Sequence, residues 1–368
     1  MLRRNRSPVM LYILHCGGMY GTERMALATL EGMGNYHKRV VMAPPAWNTE
    51  SVADAARAAG YEAVAFTSRL SLALAIVPWM LRYKTIDVIG TGVVHNAICH
   101  VLGKFLGVNI RQLHVAHGGT LDSYARKSAL NRFPVRTVAV SAFVRDALVQ
   151  HGVRAERIVV IDNFLSEAQC RAHGRRPPYS SGAAGARPME PAQVRVAVVS
   201  RLDVIKKVSV LVAAVAAHGL HEFVFDIYGT GSEIDRLKAS SADMPNVRIH
   251  GYADDVKERL KEADLLLHLC PEEPFGLVVL EGFLSRLVVI VPDTGGAGAL
   301  IDDGVTGLRF VADNVDDLVR VLHRARSMDQ RELQRLADAG GATLVARFSP
   351  AEGARRYLLA LEGIPAAD

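Results

Sequence analysis

The segment Glu273-Pro-Phe-Gly-Leu-Val-Val-Leu-Glu281 places two carboxylates eight positions apart, on either side of a proline and a glycine. The proline and the glycine interrupt any helix across the first part, whereas the apolar residues that follow are typical of a buried helix. The segment therefore predicts a loop that carries Glu273 at the end of a strand. A helix should then begin near Phe275 or Gly276 and present Glu281 after its first turn.

The start of such a helix suits an anionic ligand, because its first N–H groups lack helical partners and its dipole is positive there. We expect the amides of Phe275, Gly276 and Leu277 to face a diphosphate, with the glycine allowing close approach. Glu281 would then accept hydrogen bonds from sugar hydroxyls beside that anion. The alternative is that both acids are helix-terminal residues favoured by the dipole alone.

Around this segment, short apolar runs alternate with amphipathic stretches, which is typical of parallel sheets with crossover helices. Residues 1–165 and 194–348 are each predicted to form a doubly wound, Rossmann-like α/β domain. The predicted strands are Val9–Leu14, Arg39–Met42, Ala63–Phe66, Asp87–Gly90, Gln112–Ala116, Thr137–Val140, Ile158–Ile161, Val194–Ser200, Phe223–Gly229, Val247–Gly251, Leu265–Leu269, Val288–Val291 and Gly307–Phe310.

Two further segments complete the predicted organisation. Residues 166–193 are rich in Pro, Gly, Ala and Ser, which predicts an irregular linker and not a packed element. Within residues 349–368, Ser349 is a suitable N-cap and Pro350 suits the first helical position, so a helix is predicted over Ala351–Leu361.

The amino-acid composition limits the classes of function that this chain could have. The chain has 368 residues, of which 50% are hydrophobic and 22% charged, and this suits two folded domains. The net charge of +5 weakly favours an anionic partner such as a nucleotide-sugar, a phospholipid or nucleic acid. No basic block or basic-aromatic stripe supports nucleic acid, and no metal-ligand spacing is present, so neither nucleic acid nor a metal is predicted.

The cysteines and the chain start predict a cytoplasmic protein. The four cysteines are scattered without a paired motif, which favours free thiols in a reducing compartment. The basic start at 1–6 is followed by an apolar run that is too short for a signal peptide. No segment offers about 18 unbroken apolar residues, so no transmembrane helix is expected.

The segment Ser200-Arg-Leu-Asp-Val-Ile-Lys206 supplies two candidate phosphate ligands. Arg201 and Lys206 follow a predicted strand, at the carboxyl end where doubly wound sheets bind ligands. A guanidinium can hold two phosphate oxygens, and an ammonium adds a point charge. The alternative is a solvated loop with ordinary surface charges.

Together these motifs resemble those of the retaining glycosyltransferases of family 4, also called group 1, which have the GT-B fold. The Arg-Leu-x-x-x-Lys segment and the pair of glutamates both match the family. The other matching segments are Gly17–Arg24, His117-Gly118, Gly229–Ser232, Asp293–Gly296 and Asp303–Leu308. The resemblance covers nearly the whole chain apart from the predicted linker.

The resemblance implies metal-independent transfer of a sugar from a nucleotide-diphosphate donor to a glycan or lipid-linked acceptor, without a cofactor. Arg201 and Lys206 would stabilise the leaving diphosphate, and Glu281 would hold the ribose. Glu273 and His117 would position the donor sugar. By analogy the pathway would be bacterial surface polysaccharide or lipopolysaccharide assembly.

The resemblance also assigns roles to three glycines. Gly18 and Gly21 would border the donor phosphate and the acceptor, and Gly229 would lie beneath the nucleotide. The C-terminal helix would cross back onto the N-terminal domain. His114 competes with His117 for a role in the site, although core packing is the favoured interpretation for His114.

Three positions depart from the family pattern and leave alternatives open. Ala299 stands where many relatives have Glu, and Lys207 and Phe164 stand where they have Gly. These changes would be consistent with altered donor choice or with lost activity. The alternatives are a non-catalytic sugar-nucleotide-binding subunit, or an epimerase or hydrolase on the same scaffold.

Residues 69–84 combine an apolar core with basic ends, and two interpretations are open. The favoured one is a helix that packs on the first sheet and is kinked by Pro78. The other is peripheral contact with the inner face of the cytoplasmic membrane, with Trp79 and Tyr83 at the interface.

Overall fold

The computed structural model describes residues 7–34, 36, 38–46, 50–118, 121–172, 175–179, 193–253 and 255–363, without the side chains of residues 121, 122 and 172. The chain divides into two compact units. Unit 1 comprises residues 1–167 and 349–368, and unit 2 comprises residues 168–348. Each unit contains a parallel sheet with crossover helices, so the predicted α/β class is confirmed.

The sheet of unit 1 has seven parallel strands. They are β1 Val9–Ile13, β2 Lys38–Ala43, β3 Glu62–Ala65, β4 Thr85–Gly90, β5 Asn109–Ala116, β6 Arg136–Ala139 and β7 Ile158–Val160. Their order across the sheet is β3-β2-β1-β4-β5-β6-β7. All of β1 is buried, because helices cover both faces of a doubly wound sheet and every position in a central strand then faces the core.

The sheet of unit 2 has six parallel strands. They are β8 Val194–Val199, β9 Phe223–Tyr228, β10 Val247–Gly251, β11 Leu265–Leu267, β12 Val288–Pro292 and β13 Leu308–Phe310. Their order is β10-β9-β8-β11-β12-β13, so β8 and β11 lie side by side. Every strand predicted from an apolar run is present in one of the two sheets, with ends that differ by a few residues.

The crossover helices follow the strands in alternation. They are α1 Gly21–Glu31, α2 Val52–Ala58, α3 Arg69–Arg82, α4 Val93–Leu106, α5 Leu121–Lys127, α6 Ala142–Gln150, α7 Glu167–Ala172, α8 Val208–His218, α9 Ile234–Ser240, α10 Val256–Arg259, α11 Leu277–Leu284, α12 Gly295–Gly298, α13 Val315–Ser327, α14 Gln330–Arg347 and α15 Pro350–Glu362. Among the described residues, none of these helices has both the length and the apolarity needed to cross a bilayer.

Helix α3 packs on the sheet of unit 1, as the favoured interpretation of this segment predicted. Trp79 and Tyr83 are both buried and their rings stack at 6.1 Å. The assignment of these two rings to a membrane interface is therefore wrong. The inward face of an amphipathic helix on a sheet must be filled by large apolar side chains, and the aromatic rings serve that purpose here.

The predicted irregular linker is partly structured and partly packed. It contains α7, and Arg176 and Tyr179 lie in the core of unit 2 at 1% exposure each. The Arg176 guanidinium pairs with Asp264 at 2.9 Å and stacks over the Tyr179 ring at 3.7 Å. The average composition of 166–193 gave no sign that Arg176 and Tyr179 would be buried. The Gly- and Ala-rich part of the segment, 180–192, lies outside the described residues.

Helix α15 belongs to unit 1, where it packs against α1, and it begins as the sequence predicts. The hydroxyl of Ser349 accepts a hydrogen bond from the Glu352 amide at 3.2 Å, and Pro350 is the first helical residue. A Cβ atom on Gly353 would lie 2.1 Å from the ring of Phe164. Phe164, one of the departures from the family pattern, is thus accommodated because its neighbour on α15 has no side chain.

Candidate active site

The loop that carries Glu273 follows β11 and is braced by two glycines. The Gly296 amide donates to the Glu273 carbonyl at 2.6 Å, and the Thr294 hydroxyl donates to the Pro271 carbonyl at 3.0 Å. A Cβ atom on Gly296 would lie 2.1 Å from the Pro274 carbonyl oxygen, and one on Gly295 would lie 2.5 Å from that of Pro271. Only glycines allow these two loops to approach so closely, so they fix where Glu273 lies.

Lys206 and Glu273 form an ion pair at the carboxyl ends of β8 and β11. Lys206 ends a single 3-10 turn, Val204–Lys206, and its ammonium lies 2.6 Å from the Glu273 carboxylate. The two side chains are 17% and 16% exposed. Since β8 and β11 are neighbours in the sheet, residues that lie 67 positions apart in the sequence meet at one edge.

The surroundings of Glu273 keep its carboxylate ionised. Burial alone would raise the pKa of Glu273, but the positive charges of Lys206 and Arg201 outweigh that effect and hold the pKa below its usual value. Burial lowers the pKa of His268 to about 4, so that imidazole is neutral near pH 7. The site therefore holds one carboxylate between basic groups.

Arg201 lies at the same edge and is largely exposed. Its guanidinium pairs with Asp203 at 2.9 Å, and Asp203 in turn accepts a hydrogen bond from the Ser232 amide at 3.2 Å. Gly229 has a φ of +139°, and a Cβ atom there would lie 1.8 Å from the Ser200 carbonyl oxygen. Gly229 thus allows the end of β9 to pass directly beside the loop that carries Arg201.

Helix α11 begins one position later than the predicted range. Gly276 is its N-cap, with a φ of +95°, and Leu277 is its first helical residue. Phe275 is buried and packs edge-on against Phe348 at 5.9 Å, so its side chain fills the core while its backbone lies at the helix start. Glu281 is half-buried in the second turn of α11, as expected for the second acid.

The remaining predicted site residues belong to unit 1. Gly18 is buried and bridges to Ser51, and Gly21 is exposed at the start of α1. His117 follows β5, and its Nε2 is buried without a hydrogen-bond partner in the described part of the chain. Burial lowers the pKa of His117 to about 3, so the ring is neutral. Gly18, Gly21 and His117 all belong to unit 1.

Basic side chains of unit 1 contribute to lowering the pKa of both His117 and His114, and the sequence gave little indication of this. The pKa of His114 is lowered to about 3, first by burial and then by Lys127, His117, His95 and His15. Burial also lowers the pKa of Lys127 to about 8. Their signal in the sequence was weak, because they come from separate strand ends and helices of unit 1.

His268 and Cys270 were also missed as neighbours of Glu273. Both are buried, and the His268 Nε2 lies 3.5 Å from the Glu273 carboxylate. Within the described residues, His268, Cys270 and Glu273 are the one group whose ligand atoms could hold a metal ion. Their spacing of two and three residues matches no common metal motif, so the sequence gave no warning.

The structure thus brings together Arg201, Lys206 and Glu273 in unit 2, with Gly229 beside Arg201 and Gly276 at the start of α11. This is the edge of a doubly wound sheet where ligands bind. Cationic groups and a helix start at such an edge are suited to a phosphorylated ligand.

Comparisons with known proteins agree with this arrangement. The family model described as glycosyl transferases group 1 matches residues 193–327, and the model described as glycosyltransferase family 4 matches residues 21–169. The two matches together cover most of the chain, with one match largely in each unit.

Curated relatives are similar over part of the chain. One is the lipopolysaccharide core biosynthesis glycosyltransferase LpsE of Rhizobium meliloti, 28% identical over 142 residues, which are 38% of this chain and 42% of the relative. Another is the GDP-mannose-dependent alpha-mannosyltransferase of Mycobacterium tuberculosis, 31% identical over 185 residues, which are 49% of this chain and 44% of the relative. The aligned part is therefore less than half the length of either relative.

Solved structures are similar over nearly the whole chain. Anabaena HepE in complex with UDP and glucose has a TM-score of 0.78 at 18% identity, covering 96% of this chain and 99% of that one. The lipopolysaccharide outer core galactosyltransferase WaaB, in its apo form, has a TM-score of 0.74 at 18% identity, with the same coverage. This likeness shows the GT-B fold. With the two family models, it places the chain among the group 1, or family 4, glycosyltransferases.

Proposed function

We propose that this protein transfers a sugar from a nucleoside-diphosphate donor to a glycan or lipid-linked acceptor. The observation that carries the proposal is the ion pair of Lys206 and Glu273, with Arg201 beside it, at the carboxyl edge of the unit 2 sheet. The family models and the relatives support the same class of reaction.

The chemistry requires cations at the leaving group. Transfer separates negative charge onto the diphosphate while the sugar becomes oxocarbenium-like, and fixed positive groups stabilise that charge. Arg201 and Lys206 supply these groups without a metal, together with the amides of Phe275, Gly276 and Leu277. Glu273 stays ionised and positions the sugar, and the reaction retains the anomeric configuration.

The other residues bind the rest of the donor and the acceptor. Glu281 accepts hydrogen bonds from the ribose hydroxyls, and Gly229 lies beneath the nucleotide. In unit 1, His117 contacts the donor sugar, and Gly18 and Gly21 border the phosphate and the acceptor. The pathway is bacterial surface polysaccharide or lipopolysaccharide assembly, which the names of LpsE and WaaB support.

The donor test is a thermal-shift screen with UDP-, GDP- and ADP-sugars in a buffer that contains EDTA. One donor should raise the unfolding temperature of the wild type, and Arg201→Ala and Lys206→Ala should lose that shift. Lys238→Ala, which removes an exposed cation from α9, is the matched control and should keep it. No shift with any donor, or an unchanged shift in both site variants, would contradict the proposal.

A non-catalytic sugar-nucleotide-binding subunit remains the second candidate, and its support was the three departures from the family pattern. Phe164 is accommodated by Gly353, and Lys207 adopts the left-handed conformation (φ +57°) that the usual glycine would take. These two changes therefore preserve the local backbone. Product analysis with the stabilising donor, with and without acceptor, separates transfer from hydrolysis, epimerisation and simple binding.

Peripheral membrane contact is proposed through the outer faces of α3 and α4, which pack against each other. Leu70, Leu74 and Phe105 are 70%, 64% and 86% exposed. Neither helix contains an acidic residue, and exposed basic residues accompany the apolar ones: Arg69, Arg82, Lys84 and Lys104. Apolar side chains beside cations suit a surface of anionic lipid.

Co-sedimentation with vesicles tests this contact. The protein should pellet with vesicles rich in anionic lipid and stay in solution with zwitterionic ones. The double variant Leu74→Ser/Phe105→Ser should lose binding, whereas Val345→Ser, at an exposed apolar position of α14 in unit 2, should retain it. Absence of wild-type binding to anionic vesicles would exclude the contact.

A further inference from the structure

His268 has a buried ring nitrogen that no protein atom satisfies. The side chain is 5% exposed, and its Nε2 has no hydrogen-bond partner in the described part of the chain. Nε2 is thus the ring nitrogen that is free to bind a ligand. A buried imidazole nitrogen without a protein partner is a suitable ligand for a metal ion, because metals bind the unprotonated ring nitrogen.

The group closest to this nitrogen in charge terms is the Glu273 carboxylate, which is itself a hydrogen-bond acceptor. The Nε2 of His268 lies 3.5 Å from the Glu273 carboxylate, and both atoms are acceptors in the tautomer that carries the ring proton on Nδ1. A buried acceptor opposite a carboxylate is unfavourable unless a proton or a metal ion lies between them. This polar contact is not explained by the donor site described above.

Cys270 completes a set of three ligands. Its thiol is free and 1% exposed, and its Sγ, the His268 nitrogen and a Glu273 oxygen all lie within 4.8 Å of one another. With zinc–ligand bonds of about 2.0–2.3 Å, the edges of a tetrahedral site are about 3.3–3.8 Å long. The observed nitrogen–oxygen distance already matches such an edge, and the longest separation needs to close by only about 1 Å.

The Lys206 ammonium now supplies the positive charge beside this set. It lies 2.6 Å from the Glu273 carboxylate, so a dication on the same carboxylate oxygen would have to displace it. Metal binding and the Lys206–Glu273 pair are therefore mutually exclusive, because two cations at such short range repel each other strongly.

We propose that His268, Cys270 and Glu273 form an inhibitory site for a thiophilic divalent cation, with Zn²⁺ as the best-suited ion, and that the metal competes with Lys206 for Glu273. On binding, the Cys270 thiol releases its proton to solvent and forms a sulfur–metal bond, and the Lys206 ammonium turns away still protonated. One thiolate and one imidazole select Zn²⁺, Cd²⁺ or Co²⁺ over Mg²⁺ and Ca²⁺, which prefer oxygen ligands.

The consequence is a glycosyltransferase site that soft metals switch off. This consequence depends on the proposed function, but metal binding itself does not, so the two can fail separately. With the metal bound, Glu273 no longer pairs with Lys206, and the Lys206 ammonium is displaced from the position where it would bind the diphosphate. A nucleoside diphosphate and Zn²⁺ should therefore bind competitively.

The test is a titration of the full chain, freed of metals by chelation, with Co²⁺ as a spectroscopic probe and Zn²⁺ as its competitor. Co²⁺ should bind one per chain and produce the near-ultraviolet charge-transfer band of a thiolate ligand, and Zn²⁺ should remove that band. Cys270→Ser should abolish the band and weaken Zn²⁺ binding at least about tenfold. Cys16→Ser, at a half-buried thiol of unit 1, is the matched control and should leave both unchanged.

Lys206→Met gives the sharper test because its expected effect has the opposite sign. Removing the competing ammonium should tighten Zn²⁺ binding several-fold, a gain that a misfolded variant would not show. Absence of the thiolate band in the wild type, its persistence in Cys270→Ser, or weaker Zn²⁺ binding in Lys206→Met would each overturn the proposal. If the wild type gives the expected cobalt spectrum but transfers no sugar from any donor, the proposed function fails and the metal site stands.

Discussion

The Lys206–Glu273 pair should couple the two side chains strongly enough to measure in unfolding experiments. Lys206→Met removes the ammonium and leaves a carboxylate that is 16% exposed without its cation. Glu273→Gln removes the negative charge and leaves the ammonium, 17% exposed, opposite a neutral amide. The double variant removes both charges, so the four proteins form a complete thermodynamic cycle.

The magnitude follows from the 2.6 Å separation and the low exposure. At an effective dielectric constant of about 20, opposite unit charges at this distance attract by about 6 kcal/mol, and desolvation offsets much of that attraction. Fully buried pairs cost about 3–5 kcal/mol when one partner is removed, so a pair that retains some exposure should cost about 2–3 kcal/mol. We expect a coupling free energy of about 2 kcal/mol between the two positions.

Urea unfolding followed by far-ultraviolet circular dichroism measures the cycle. A matched control is the Lys38–Glu62 pair of unit 1, which has the same residue types at 2.9 Å but is 45% and 43% exposed. The cycle of Lys38→Met and Glu62→Gln should give less than about 0.5 kcal/mol, because solvent screens an exposed pair. If the Lys206–Glu273 coupling is no larger than the control, the account of a tightly held pair in a water-poor site is refuted.

Three further predictions concern stability. Burial raises the pKa of Glu23 to about 7, so the folded state binds more protons than the unfolded state between pH 4.5 and 7. The free energy of unfolding should therefore fall by about 3 kcal/mol as the pH rises through that range. Glu23→Gln should abolish this pH dependence, which thermal unfolding at a series of pH values measures. Arg176→Met should cost about 3–5 kcal/mol in urea unfolding because Asp264 stays buried without its cation, and adding Asp264→Asn should recover part of the loss. Lys207→Gly should raise stability by up to about 1 kcal/mol by relieving a left-handed backbone conformation at φ +57°.

Each of these predictions has a clear contrary result. A pH dependence that is unchanged in Glu23→Gln would mean that another group titrates. A loss in Arg176→Met below about 1 kcal/mol would mean that residues 175–179 are not anchored in the core of unit 2. A lower unfolding temperature in Lys207→Gly would show that the salt bridge of Lys207 with Asp313, 3.2 Å long, outweighs the backbone strain.

The sequence predicted the sheets well because parallel strands buried on both faces are continuous apolar runs. The runs around Val9–Ile13 and Val288–Pro292 predicted buried strands, and both strands are fully buried and lie inside their sheets. The helix at Pro350 was predicted by its own cap, a local signal that needs no tertiary information. Lys206 and Glu273 were predictable as neighbours because both follow strand ends of one sheet.

The residues that the sequence did not predict depend on contacts between distant parts of the chain. Arg176 meets Asp264 across 88 positions, and nothing in the composition near Arg176 indicates that partner. Phe164 is tolerated only because Gly353 leaves room for its ring, a pairing between two ends of unit 1. His268 was concealed in an apolar strand end, where a histidine usually signals packing and not chemistry.

The most direct test of the central claim is calorimetric titration of the preferred nucleoside-diphosphate sugar into the wild type and into Lys206→Met, in buffer with EDTA. We expect one donor to bind per chain, Lys206→Met to weaken binding at least about tenfold, or about 1.4 kcal/mol, and Lys38→Met to bind as the wild type does. Equal affinity of Lys206→Met and the wild type would contradict the claim that this ammonium, set beside Glu273, receives the diphosphate.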